Sequence, residues 1–75
     1  MDLEAVKYLA AGITVMFGIM PSAIGEGKIG VAAMEAMGRN PSAGAEMFPR
    51  MIVAMAITES PAIFAFVMGI IILFS

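Results

Sequence analysis

Charged positions divide the chain into four stretches. Asp2, Glu4 and Lys7 crowd the start, and Tyr8 to Gly25 then runs 18 residues without a charge. Glu26 to Arg50 holds six charges among small residues, and Met51 to Ser75 is 25 residues with a single charge, Glu59. A bilayer core of about 30 Å takes roughly 20 helical residues to cross. Each apolar stretch therefore predicts a transmembrane helix. The break between them falls at Gly38-Arg39-Asn40-Pro41-Ser42. Proline disfavours helix in the residue before it and cannot continue a helical ladder. Ser42 then offers an N-cap, with Glu46 in the following turns, where a negative charge suits the helix dipole. The expected organisation is a single hairpin over residues 1–75: helix 1 about 3–38, turn 39–42, helix 2 about 43–74. Each helix would be roughly 50 Å long at 1.5 Å per residue, so the turn should protrude from the membrane.

Composition agrees with lipid as the solvent. Sixty-one per cent of the residues are hydrophobic and 13% charged, and the mean hydropathy is +1.00. A soluble domain is nearer 45–50% apolar. A soluble chain of this length needs disulfides, a metal or partners to hold a core. The chain has no Cys, no His and no Trp, which excludes disulfide scaffolds, zinc fingers and His- or Cys-based catalysis. A net charge of −2 offers no footprint for nucleic acid. An acidic start also argues against a cleavable signal peptide. The nine Met are expected to pack rather than to bind metal. Arg39 and Arg50 flank the turn while the ends carry only Lys7. The positive-inside tendency thus places the turn in the cytoplasm and both termini on the other side.

Folding the hairpin at Pro41-Ser42 sets residues whose numbers add to about 85 at equal height. Glu35 then meets Arg50, Arg39 meets Glu46, and Glu26 meets Glu59. The first two are opposite-charge pairs near the turn, of a kind that contributes little when exposed. The third brings two carboxylates together in the apolar zone. Glu59 lies roughly 13 Å of helix from Arg50 and roughly 24 Å from Ser75, too deep to reach either surface by stretching. A carboxylate at that depth costs several kcal/mol unless neutralised, paired or hydrated, and marks a functional site by default. A permanently protonated packing residue is the alternative, but Gln would serve that purpose with less risk. Two carboxyls in one site titrate as a unit and can hold one proton between them.

Beside Glu59, Pro61 has no N–H, so the Ile57 carbonyl loses its partner four residues on. That carbonyl, the Ser60 hydroxyl, Glu59 and Glu26 make four oxygens, enough to hold a proton or a dehydrated Na⁺. Pro61 could equally be a plain kink, which membrane helices tolerate. Small residues (Gly12, Gly18, Ala23, Gly25, Gly27, Gly30, Ala32, Ala33, Ala36) line helix 1, whereas helix 2 carries bulkier Met, Ile and Phe. Small residues let helices approach closely in lipid. A narrow helix beside a bulkier one makes a wedge, and wedges close into a ring. An ordinary two-helix contact would use the same residues. Lys28 lies about 200° around the helix from Glu26. It either snorkels toward the turn side or serves as a counter-charge for a neighbouring copy.

A two-helix hairpin with a Gly-rich first helix, Arg39-Asn40-Pro41 at the turn and Glu59 within helix 2 resembles the c subunit of F-type ATP synthases, over essentially the whole chain. Archaeal-type relatives usually lack the turn arginine, so the F-type is favoured. The resemblance implies an all-α transmembrane two-helix hairpin assembling into a homo-oligomeric rotor ring. It implies Glu59 as the ion-carrying residue, with Glu26, Ser60 and the Ile57 backbone carbonyl in support. It also implies that Arg39, Asn40 and Pro41 contact the central stalk. The expected partners are copies of the chain, the stator a subunit, the central stalk subunits and lipid, in the cell (inner) membrane. Such a protein translocates ions and is not itself an enzyme. No phosphate-binding loop ending in Gly-Lys-Ser/Thr is present, and no cofactor or resident metal is expected. Pro61 and Phe64 stand where sodium-carrying members have Thr and Tyr, and Pro21 and Ala23 occupy glycine-type positions. Protons are therefore expected as the cargo, with Na⁺ at Glu26, Glu59, Ser60 and Ile57 as the alternative. A structural or pore-forming hairpin without a rotary partner is the alternative of another class.

Overall fold

The computed structural model describes residues 2–75. Two antiparallel helices, α1 (Leu3–Arg39) and α2 (Gly44–Phe74), are joined by one 3₁₀ turn at Pro41–Ala43. The hairpin measures 58 × 16 × 9 Å. Both helices are long and apolar enough to cross a membrane.

The start of α1 is fixed by Asp2. Its backbone is extended, and its carboxylate accepts the Ala5 N–H at 2.7 Å, with Glu4 in the first turn. Both features place negative charge on the N-terminal dipole, and Asp2 also satisfies a free donor. At the other end α1 continues to Arg39, one residue past the expected limit. The Asn40 N–H still reaches the Ala36 carbonyl at 3.0 Å. Asn40 itself is non-helical, with φ −138° and ψ 83°, in keeping with the bias away from helix that a following proline imposes.

That non-helical residue also explains why Ser42 does not cap α2 as expected. A capping side chain must sit on non-helical backbone just before the first turn. Pro41 places that residue at Asn40 and opens the 3₁₀ turn, so Ser42 lies inside the turn. The Ser42 hydroxyl donates to Asn40 Oδ1 at 2.6 Å, and Ala43 precedes α2 with no side-chain cap. The helix therefore starts at Gly44 rather than at 43.

Where the helices touch, most residues are small. Ala11, Ser22 and Ala33 are buried on α1, and Met51, Ala62 and Gly69 on α2. With Val15, Gly18, Gly25, Ala54, Thr58 and Ala65 between them, the positions from Ala11 to Gly25 and from Met51 to Gly69 step by three and four residues, the pattern of a left-handed helix pair. Gly18 faces Ala65, Gly25 faces Thr58, Gly30 faces Met55 and Gly69 faces Val15. These partners have numbers adding to between 83 and 85, close to the expected register. No described residue has positive φ, so the glycines serve by what they lack. A Cβ at Gly18 would collide with the Ala65 methyl.

Three prolines lie inside helices: Pro21 in α1, Pro49 and Pro61 in α2. Each helix runs through them unbroken. The seam leaves most large apolar side chains uncovered, among them Phe17, Ile24, Val31, Ile57, Phe64 and Phe74. A soluble protein does not present apolar surface on this scale. Lipid and neighbouring copies are the surroundings that satisfy it.

Candidate ion site

The register brings Glu26 on α1 and Glu59 on α2 side by side, with the two carboxyls close enough to act on one another. Both residues are partly buried. They sit at the rim of the seam rather than in its centre. Gly25 makes the approach possible. A Cβ there would lie 2.9 Å from the Thr58 methyl, one residue before each carboxylate.

Hydroxyl groups at this level behave differently from one another. Thr58 donates to the Ala54 carbonyl at 2.8 Å, and Ser60 makes a longer donation to the Ala56 carbonyl at 3.4 Å. Both are spent on the preceding turn of their own helix. Ser60 is partly buried beside Glu59, and the Ile57 side chain is 68% exposed. Pro61 denies the Ile57 carbonyl its helical donor, as Pro21 does for Phe17 and Pro49 for Ala45. A freed carbonyl is thus repeated along the hairpin, and Ile57 is the instance beside the carboxylates. Ser22, which the sequence alone did not single out, is 4% exposed and is the described residue whose buried oxygen has no partner. Its place four residues before Glu26 was the available signal.

The turn lies roughly 20 Å along α1 from Glu26. Arg39, Asn40 and Pro41 are all exposed there. The two expected interhelical ion pairs, Glu35 with Arg50 and Arg39 with Glu46, are not formed among the described residues. Glu46 instead pairs within α2, with Arg50 at 2.9 Å. Glu four residues before Arg is the favoured order on a helix, and it needs no second helix to hold it. Lys28 is exposed. At the opposite end of the hairpin, Lys7 donates to the Ser75 carbonyl and ties the end of α2 to α1.

Two bilayer-length helices joined by an exposed polar turn define a membrane-embedded helical hairpin, with a carboxyl pair level across it. The sequence model of the family described as the C subunit of ATP synthase matches residues 9–72. The chain is 42% identical over 74 residues to the ATP synthase c subunit of Dehalococcoides mccartyi strain BAV1, covering 99% of this chain and 97% of the relative. It is 41% identical over 68 residues to that of Petrotoga mobilis, covering 91% and 71%. For Thermotoga petrophila the identity is 39% over 67 residues, covering 89% and 79%. The chain belongs to the c-subunit family of ATP synthases. It is therefore a ring-forming rotor component of the F0 sector, one that translocates ions in the membrane and is not catalytic.

Proposed function

We propose that the rotor built from this chain carries protons and that Glu59 is the carrier, with Glu26 sharing the bound proton. The juxtaposition of the two carboxyls halfway along the hairpin carries this reading. A proton needs one carboxyl and one acceptor, and the pair supplies both. Neutralised, Glu59 can pass through lipid; ionised, it must face water or a fixed cation. The stator a subunit would supply two half-channels and that cation, an arginine by chemistry, which prevents return of an occupied site. No resident cofactor is required.

Na⁺ needs several well-placed oxygens to replace its hydration shell. Ser60 directs its hydroxyl at Ala56, and Pro61 and Phe64 bring no hydroxyl to the site, which favours the proton. The exposed Arg39, Asn40 and Pro41 would dock the central stalk. With Arg39 and Arg50 beside it, the turn would face the cytoplasm and both helix ends the opposite side.

The test is carbodiimide modification of Glu59 in the assembled ring, together with ATP synthesis in reconstituted enzyme. Labelling should fall as pH rises and ignore millimolar Na⁺. Glu59→Gln should abolish synthesis while the ring still assembles, and Glu26→Gln should leave turnover reduced but measurable. Protection by millimolar Na⁺ at alkaline pH, lost on Ser60→Ala, would replace the proton with Na⁺. Normal synthesis with Gln at position 59 would remove Glu59 as the carrier.

A further inference from the structure

We propose that the Ser22 hydroxyl is a third member of the carboxyl site, donating to the Glu26 carboxylate when Glu59 turns away to exchange its ion. The inference rests on the carrier role assigned to Glu59 above and adds a positioning residue to it.

Packing does not account for Ser22. Its neighbours along the α1 seam, Ala11, Gly18, Gly25 and Ala33, are small and apolar, and an Ala at position 22 would fill the same space. Ser22 is instead sealed to 4% exposure with its oxygen unpartnered. Buried hydroxyls almost always find a partner, and one left alone calls for an explanation. Within a helix the usual solution is the carbonyl four residues back. Thr58 and Ser60 both take it. Ser22 does not, although Gly18 stands one turn behind it.

Position supplies the explanation. Ser22 and Glu26 are four residues apart and so lie on one face of α1, the face turned to α2. Helical side chains lean toward the N-terminus and cover the preceding turn. The Glu26 side chain is therefore built to reach back over Ser22, and the serine oxygen can move between staggered positions to meet it. Meanwhile Glu26 has one charged neighbour, Glu59 on α2. Lys28 lies about 200° around the helix and cannot help. When Glu59 leaves the pair, Glu26 stands in the apolar zone without a donor, and the idle hydroxyl one turn away is the donor at hand. Holding Glu26 ionised also keeps the shared proton on Glu59, the residue that must travel with it.

The experiment is the rate of carbodiimide modification of Glu59 in intact rings at neutral pH, a reaction that needs the carboxyl protonated and turned out of the pair toward the reagent. Ser22→Ala should slow it about fivefold, the factor carried by one ordinary hydrogen bond. Ser22→Thr, which keeps the hydroxyl, should restore it. In a Glu26→Gln background Ser22→Ala should change nothing further, because an amide exchanges no proton with Glu59. An unaltered rate in Ser22→Ala overturns the proposal. So does equal slowing in both backgrounds, which would make Ser22 a packing residue. If Glu59 is not modified even in the unaltered ring, the carrier role itself falls, an outcome separable from the other two.

Discussion

Gly25→Ala tests whether close approach of the helices is what creates the site. The new Cβ would sit 2.9 Å from Thr58 Cγ2, half an ångström short of the 3.4 Å of ordinary contact. Thr58 cannot yield freely. Rotating its χ1 moves Oγ1 off the Ala54 carbonyl, now bound at 2.8 Å, which forfeits about 1 kcal/mol. Moving α2 instead separates Glu26 from Glu59. Overpacking of this kind costs roughly 1–3 kcal/mol. The gain in helix propensity from Gly to Ala offsets at most about 1 kcal/mol. A net loss of about 1 kcal/mol is therefore expected, read as lowered resistance of the hairpin to denaturing detergent. Proton-coupled synthesis should fall with it. Thr58→Ser removes the obstructing methyl and keeps the hydroxyl, so the double variant should recover both stability and coupling. Gly27→Ala is the control, since its Cβ meets nothing within 4 Å in the hairpin. Gly25→Ala with wild-type stability, or a double variant no better than the single one, would refute the steric argument.

At the turn, Arg39→Ala with Asn40→Ala should leave ATP hydrolysis running while proton pumping falls in reconstituted enzyme; unchanged coupling would reduce the turn to a connector. Asp2→Ala should fray the start of α1 at a cost of about 1 kcal/mol, seen as faster amide exchange at Glu4 and Ala5. Equal exchange rates in the two proteins would mean that the Asp2 cap contributes nothing.

What was readable from sequence follows from how each feature is encoded. Span positions come from charge spacing and composition, which a bilayer reads directly, so the paired helices and the level of Glu26 with Glu59 were accessible. Register came from one proline, and its error was small because Pro41 keeps Asn40 out of the helix. Local competition was not readable. Ser42 has the composition of a cap, yet the same Pro41 that breaks the helix draws Ser42 into the 3₁₀ turn. Glu46 could pair with Arg39 or Arg50, and the partner on its own helix was the one in reach. Ser22 was hidden for another reason. A serine in a run of Gly and Ala looks like one more small residue. Only the closing of α2 over it shows that its oxygen has been left without a partner.

The carboxyl pair lies at the rim of the seam while Ser22 and Ala62, one turn away, are sealed. A single hairpin thus positions Glu26 and Glu59 but does not enclose them; enclosure falls to whatever covers the rim. On the proposed function, that is the next copy, lipid or the stator a subunit. The three differ in what they tolerate. Lipid excludes an ionised carboxylate by several kcal/mol, whereas a fixed cation favours one. On the carrier reading, an open rim is therefore a requirement rather than a packing defect. A site buried inside each hairpin would be equally protonated in every surrounding and could not distinguish stator from lipid. Placing the pair at the edge lets the surroundings set its charge, and Gly25 is the residue that permits its closeness to α2.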